Sequence, residues 1–164
     1  MTLQFYATVV GSSQGTFKGE SMSTKLANKI PGVAFSYGIL DPRDAANGAY
    51  SGKREQQPVV FTKQWGAASP QFYQAAYTNE ILPSVLFEFF LPLSDGDESL
   101  DHIIKLTNAT VSSTRQIVHV GQQDGPLLDT RNLHEISFHF QKIEIVSLTG
   151  HTEALGEWLN PNAD

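Results

Sequence analysis

Apolar and polar side chains alternate along the first ten residues of the chain. Leu3, Phe5, Ala7 and Val9 share one parity, and mostly polar residues occupy the other. A period of two is typical of a β-strand that buries one face. The pattern therefore predicts a first strand in this segment.

Further segments are rich in the β-branched and aromatic residues that fit a pleated, half-buried surface. These segments are Val59–Lys63, Val85–Leu91, Ile103–Val120 and Ile136–Val146. With the first strand and an alternating run near residue 35, they predict a mainly β, antiparallel domain of six or more strands.

The run near residue 35 alternates between bulky and small side chains. The bulky residues are Val33, Phe35, Tyr37 and Ile39, and the small ones are Ala34, Ser36 and Gly38. Successive side chains of a strand point to opposite faces. We therefore expect the bulky set to face the core and the small set to face outward.

One short segment has the features of an α-helix. Ser69 can act as its N-cap, Pro70 suits the first helical position, and apolar residues follow at helical spacing. The helix should be about ten residues long. Tyr73 and Tyr77 form a second aromatic edge, which we interpret as core packing.

The chain between Leu40 and Gln57 is polar and too long for an ordinary connection in a compact domain. Long loops of this kind commonly carry function. We predict that this loop projects from the domain and contacts a neighbouring molecule. The candidate contact residues are Asp41, Arg43, Asp44, Asn47, Tyr50, Lys53 and Arg54.

Two sets of apolar residues in the last long strand have different parity. Ile136, Phe138 and Phe140 form one set, and Ile143 and Ile145 form the other. A regular strand cannot place both sets on one buried face. We predict a β-bulge near residues 141 and 142, the alternative being that both faces of the strand are covered.

Charge and composition exclude several classes of protein. The chain has 164 residues, a net charge of −6, only 17% charged residues and no cysteine. A negative charge does not attract nucleic acid, and no apolar stretch is long enough to span a membrane. Without cysteine, disulfides and thiolate metal sites are excluded. The start of the chain has no signal-peptide pattern, so we expect synthesis in the cytoplasm.

Motifs with possible catalytic chemistry lack the context that they need. Gly11–Gly15 matches the G-x-S-x-G nucleophile pattern around Ser13, but no helix pattern follows it. Gly48–Lys53 resembles a phosphate loop with one residue too few between its glycines. We therefore predict no catalytic or cofactor site.

Metal sites are not indicated either. His134 and His139 are five residues apart and would lie on opposite faces of a strand. The acidic turn with Asp95, Asp97, Glu98 and Asp101 lacks the full loop and closing glutamate of an EF-hand. We interpret this turn as a solvated connection.

Several short segments, in their order and spacing, resemble the Hcp family, the hemolysin-coregulated tube proteins of bacterial type VI secretion. The segments are Lys18-Gly19-Glu20-Ser21, Pro58-Val59-Val60-Phe61-Thr62-Lys63, Ala68-Ser69-Pro70, Ile104-Lys105-Leu106, the strand from Val111 to Gln116, Glu135-Ile136-Ser137-Phe138 and Gln141-Lys142-Ile143. They span nearly the whole chain, and their order and spacing carry the resemblance.

The resemblance implies one domain over residues 1–164, an antiparallel β-barrel of two packed sheets with one short helix on its side. It implies a homo-hexamer, a ring of six copies, and rings that stack into a tube with effector proteins in the lumen. The implied partners are the spike, sheath and effector proteins of the secretion apparatus, and the implied route is export from the cytoplasm without a signal peptide. In that assembly the long loop would contact the next ring, and Ala34, Ser36 and Gly38 would face the lumen.

Two other functions compete with this interpretation. One is a monomeric β-sandwich that binds carbohydrate or peptide, with Tyr6, Tyr37 and Trp65 as its platform. The other is a hydrolase that uses Ser13 with one of the histidines. A ring of six, unlike either alternative, would be far larger than the single chain.

Overall fold

The computed structural model describes residues 3–43, 45–49, 55–118 and 132–157. These residues form twelve β-strands and one α-helix. The strands are β1 Gln4–Gly11, β2 Gly15–Thr16, β3 Ile30–Pro31, β4 Ala34–Ser36, β5 Ile39–Leu40, β6 Glu55–Gln56, β7 Val59–Gln64, β8 Leu82–Pro92, β9 Glu98–Val118, β10 Asn132–His139, β11 Lys142–Ser147 and β12 Thr152–Glu157. The helix is α1, Ser69–Thr78.

The antiparallel strands form two packed sheets that share one long strand. Sheet one has the order β12, β11, β9, β8, β1, with β2 and β3 beside β1. Sheet two has the order β9, β10, β7, β4. The predicted fold class is confirmed, although the strands do not close into a complete ring of hydrogen bonds.

The core lies between the two sheets and contains the inward-facing apolar residues of β1, β7, β8, β9, β10 and β11. Phe87 on β8 lies with its ring centroid 5.4 Å from that of Phe61 on β7 and 6.3 Å from that of Phe138 on β10. Phe5 on β1 extends this aromatic cluster toward Phe89. Burial of this aromatic surface is the main driving force that holds the sheets together.

Helix α1 has the predicted length, but its first turn differs from the prediction. Ala68 occupies the N-cap position, so Ser69 is the first helical residue and does not cap the helix. Tyr73 is half-buried, whereas Tyr77 is 83% exposed, so the prediction of core packing is wrong for Tyr77. Among the described residues, no helix is long and apolar enough to span a membrane.

Strand β9 passes from sheet one to sheet two at Asn108. Leu106 and Ala109 are both buried although they are three residues apart, so the inward-facing parity changes between them. Asn108 has a φ of 50°, in the left-handed region that asparagine tolerates better than most residues. Its Nδ2 donates a hydrogen bond of 2.7 Å to Oε1 of Gln141. These two side chains mark a corner of the barrel.

The parity change expected between Phe140 and Ile143 is present, since both residues are buried. The predicted bulge at residues 141 and 142 is wrong. The chain there leaves β10 in sheet two and enters β11 in sheet one, and the end of β10, at Phe138 and His139, pairs with β9 in the same register as β11. The register shift of β10 lies between Ser137 and Phe138, opposite the second half of β9.

The alternating segment near residue 35 is shorter as a strand than predicted. Phe35 and Tyr37 pack against the core as expected. Val33 is 40% exposed and Ile39 is 56% exposed, so neither belongs to the core. The reason is that the strand covers only Ala34–Ser36, so Val33 precedes it and Ile39 belongs to the separate strand β5.

Candidate functional surfaces

The long loop leaves the barrel through a two-stranded ribbon made of β5 and β6. Ile39 pairs with Gln56, and Leu40 pairs with Glu55. Nε2 of Gln56 donates to the backbone oxygen of Glu157 at 3.1 Å, which ties the base of the ribbon to β12. The base of the ribbon is therefore fixed by its own pairing and by a hydrogen bond to sheet one.

Three of the seven candidate loop residues lie within the described part of the chain. Arg43 Nη2 lies 4.0 Å from Asp41 Oδ2, and both side chains are well exposed. Oδ1 of Asn47 accepts a hydrogen bond of 2.9 Å from the backbone N–H of Ala49, which closes a local turn. The other candidates, Asp44, Tyr50, Lys53 and Arg54, lie outside the described residues.

The outer face of sheet two carries several small side chains. Its strand register aligns two rows of neighbouring outward residues. The rows are Ser36, Val60, Ser137 and Ser113, followed by Ala34, Thr62, Glu135 and Arg115. One row has no charge, and the other has one acidic and one basic residue. The exposed Ala34 and Ser36 thus belong to a wider surface, and Gly38 is partly exposed beyond it.

Sheet two has an open edge at each side. Strand β4 pairs only with β7, and the second half of β9 pairs only with β10 within the described part of the chain. The pairing of β8 with β9 stops at Ala109, so residues 111–118 have no strand partner on that side among the residues that the structure describes. Open edges are ready templates for pairing with another chain.

A buried polar cluster lies between α1 and the inner face of sheet two. Lys63 is fully buried, and its Nζ donates to Glu20 Oε1 at 2.9 Å and to the backbone oxygen of Gln64 at 2.7 Å. Oε1 of Glu20 also accepts from the backbone N–H of Ala68 at 2.8 Å. The carboxylate thereby joins the loop after β2 to β7 and to the start of α1.

The same cluster continues through Ser69 to a buried histidine. Ser69 Oγ lies 3.1 Å from Lys63 Nζ and 3.1 Å from Nδ1 of His134. Nε2 of His134 lies 2.6 Å from Thr114 Oγ1 on β9. Burial lowers the pKa of Lys63, and hydrogen bonding to Glu20 opposes that change.

Sequence reasoning did not predict this cluster, although a signal for it exists. Lys63 shares its parity with the buried Val59 and Phe61, and His134 shares its parity with buried residues of β10. A charged residue at a core position of a strand requires a partner. Glu20, Lys63 and Ser69 come from three different segments that carry the resemblance described above, and the fold brings these segments together.

Within the described part of the chain, the structure supports neither a nucleophile site at Ser13 nor a metal site. Most of the Gly48–Lys53 segment lies outside the described residues. Ser13 lies exposed in the turn between β1 and β2, where a strand follows and not the helix that a nucleophile turn requires. His134 is buried and His139 is exposed, so the two occupy opposite faces as predicted. Among the described residues, no group of three acidic or histidine side chains could hold a metal ion.

The aromatic platform of the monomeric alternative is also not assembled. Tyr6 lies on the outer face of sheet one, where its ring contacts Phe90 edge to face. Tyr37 packs toward the core against Phe140. Trp65, at the end of β7, donates through Nε1 to the backbone oxygen of Leu133 at 2.9 Å. Three aromatic residues in these separate positions do not form one surface.

Comparisons with known proteins agree with the fold. Residues 6–146 match the family described as "Type VI secretion system effector, Hcp". The chain is 23% identical over 172 aligned positions to the major exported protein of Pseudomonas aeruginosa, with 99% of each chain covered.

Solved structures show the same fold. A crystal structure of an Hcp protein superposes with a TM-score of 0.88 at 22% identity, covering 97% of this chain and 99% of that one. A mutant form of Hcp1 from an E. coli pathovar gives a TM-score of 0.83 at 23% identity, covering 96% and 100%. The secreted protein Hcp3 of Pseudomonas aeruginosa gives 0.76 at 18% identity, covering 97% and 100%.

Proposed function

The chain belongs to the Hcp family of type VI secretion, and we propose that it is a structural subunit whose copies close into rings of six that stack into a tube. Its role is one of assembly and transport, not of catalysis. The unit that assembles is a single domain over residues 1–164. The observation that carries the proposal is the pair of open edges on sheet two.

The two open edges differ from each other, which suits a ring. A closed ring requires heterologous contacts, in which one surface meets a different surface on the next copy. Strand β4 of one copy can pair with residues 111–118 of β9 on the next, since both edges lack a strand partner within the described part of the chain. Repetition of this contact around a ring would join the sheets into one continuous wall.

The outer face of sheet two would then line the lumen. Small side chains such as Ser36, Ser113 and Ser137 keep the wall flat and leave room for cargo. The single row with Glu135 and Arg115 carries opposite charges, so the wall would have little net charge. Effector proteins of different surface charge could pass along such a wall without strong attraction or repulsion.

The ribbon and loop are proposed to connect one ring to the next. Their base is held by the β5–β6 pairing and by the hydrogen bond from Gln56 to β12. Asp41 and Arg43 are exposed beyond that base and carry opposite charges. The loop residues Asp44, Asn47, Tyr50, Lys53 and Arg54 complete the proposed contact with the neighbouring ring.

The proposed partners follow from membership of the family. They are further copies of this chain, the spike and sheath proteins of the apparatus, and the effectors that the lumen carries. The net charge of −6 argues against nucleic acid as a partner. We propose that the chain is made in the cytoplasm and exported through the apparatus itself.

Native mass spectrometry of the purified chain tests this proposal. A ring of six should appear at about 108 kDa, six times the 18.0 kDa of one chain. Raising the ionic strength should change this mass little if backbone pairing and apolar contacts dominate the interface. A mass of 18.0 kDa at all concentrations tested would overturn the proposal.

A further inference from the structure

His134 is a fully buried histidine with a partner at each ring nitrogen. Ser69 Oγ lies 3.1 Å from Nδ1, and Thr114 Oγ1 lies 2.6 Å from Nε2. The ring of Tyr73 stacks on the imidazole with centroids 5.3 Å apart and planes at 9°. Phe72 meets it edge to face at 5.9 Å. The imidazole is therefore enclosed by α1 on one side and by sheet two on the other.

The hydrogen bonds around Ser69 determine which nitrogen of His134 carries the proton. A hydroxyl group has one proton to donate and two lone pairs that accept. Ser69 Oγ accepts from the backbone N–H of Gly66 at 3.2 Å and from Lys63 Nζ at 3.1 Å. Its own proton is then donated to Nδ1 of His134. Nδ1 is unprotonated in this arrangement, and the Nε2 proton is donated to Thr114.

We propose that Ser69, His134 and Thr114 form a proton-sensitive latch, which holds the start of α1 on sheet two at neutral pH and opens when His134 takes up a second proton. A proton on Nδ1 would point at a hydroxyl oxygen whose lone pairs are already occupied. Ser69 would have to rotate and abandon its bonds to the helix start and to Lys63. The device is independent of the proposed assembly, because all its parts lie within one chain.

The charges around the cluster also disfavour a second proton on His134. The ammonium of Lys63 on β7 disfavours a second positive charge on β10 nearby. Glu20, in the loop after β2, is the carboxylate of the cluster, and its Oε1 already binds Lys63 and the N–H of Ala68. Thr114 on β9 and Tyr73 on α1 bring no charge. A protonated His134 would therefore have no free carboxylate among its contacts in the cluster.

Burial, together with the charge of Lys63, lowers the pKa of His134 to about 4. In the unfolded chain a histidine titrates near ~6.5. The unfolded state therefore binds the proton first as the pH falls, so the contribution of His134 to stability is complete above about pH 6.5 and decreases between 6.5 and 4. The latch is closed at neutral pH and opens toward the acid end of this window.

Nitrogen NMR of the imidazole groups tests the latch in the unmodified chain. We expect His134 to remain in the tautomer with its proton on Nε2 down to pH 5, with a titration midpoint near 4. The exposed His139 on the same strand gives a reference signal in the same spectra. A His134 midpoint near the ~6.5 of an ordinary histidine, or a proton on Nδ1 at neutral pH, would overturn the proposal.

Amide hydrogen exchange of α1 tests its consequence. After correction for the intrinsic exchange rates at each pH, the backbone amide hydrogens of residues 69–78 should exchange at least about tenfold faster at pH 4 than at pH 7. The reason is that the start of the helix is released at pH 4. The variant His134→Gln can keep both hydrogen bonds without titrating, so its helix should lose this pH dependence. The matched control His139→Gln should retain it. If amide exchange of α1 depends on pH equally in His134→Gln and in the unmodified chain, the latch is contradicted. If His134→Gln does not fold, the NMR measurement on the unmodified chain decides the proposal.

Discussion

Asn108 Nδ2 and Gln141 Oε1 are joined by a hydrogen bond of 2.7 Å at the corner where the chain passes between the two sheets. Asn108 carries a φ of 50° there, and Gln141 fills the gap between β10 and β11. The backbone N–H of Gln141 also donates to the oxygen of Thr107 at 3.1 Å. The corner is thus held by the side chains and by the backbone.

Replacing Asn108 should separate the contribution of its backbone conformation from that of its hydrogen bond. Asn108→Ala should lower the free energy of unfolding by about 1–2 kcal/mol, because alanine disfavours the left-handed region and the bond to Gln141 is lost. Asn108→Gly loses the same bond but accepts the backbone conformation, so it should cost about 1 kcal/mol less than alanine. Urea unfolding measures both changes. Equal losses in the two variants would mean that backbone strain is not important at the corner.

The buried ion pair of Lys63 should matter far more than an exposed pair. Lys63→Met leaves Glu20 without its cation in a mostly buried site, and we expect a loss of about 3 kcal/mol. Lys142→Met removes the partner of Glu144 in a pair that lies at the surface, and should cost much less than Lys63→Met because solvent screens exposed charges. Denaturant unfolding of both variants at neutral pH measures these losses in the free energy of unfolding.

A double-mutant cycle provides the control for that comparison. The double variant Glu20→Gln, Lys63→Met should lose less free energy of unfolding than the sum of the two single variants. Each single change leaves the other charge buried without its partner. Additive losses would contradict a direct coupling between the two side chains.

Disulfide trapping can test which edges meet in a ring, since the chain has no cysteine of its own. Ser36 and Ser113 are separated within one chain by two strands, or roughly 14 Å at the usual spacing, which is too far for a disulfide. Ser36→Cys with Ser113→Cys, and a series that moves the second cysteine to Ser112 or Gln116, should give covalent ladders that end at six chains after oxidation.

The matched control pairs Ser84→Cys on sheet one with Ser113→Cys. It should give no ladder, because Ser84 lies away from the proposed contact. Rings of six without a ladder for any pair in the series would reject the β4 to β9 contact but leave the ring intact as a proposal.

The long loop should contribute to stacking and not to folding. Replacing residues 44–50 by a glycine and serine linker of equal length removes Asp44, Asn47 and Tyr50 but keeps the ribbon base paired through Ile39 and Gln56. We expect an unchanged thermal unfolding midpoint and intact rings, with loss of tubes in electron micrographs. An unfolded variant, or tubes as long as those of the unmodified chain, would contradict the stacking role.

The strands and the helix could be predicted from the sequence because burial on one face leaves a local period. Phe5, Ala7 and Val9 show that period, and all three are buried. The parity change before Ile143 was visible for the same reason. The cause of this parity change could not be predicted. Whether a strand bulges or switches sheets depends on pairing with Asn108 and its neighbours, which are far away in sequence.

The buried cluster was not predicted because its members are distant along the chain. Lys63 and His134 stand at core positions of their strands, which signals that each needs a partner, but only the packing of α1 on sheet two brings them together with Glu20. Local pattern also failed at Ile39, which belongs to the separate strand β5 of the ribbon and is exposed. Elements with a repeated period could therefore be predicted, whereas contacts between elements could not.

Negative-stain electron microscopy of the purified chain tests the central claim most directly. If sheet two supplies both edges of a heterologous interface, the particles should be rings with sixfold symmetry and an open centre, some of them stacked face to face. Particles without an open centre, of the size of one 18.0 kDa chain at every protein concentration tested, would contradict the claim.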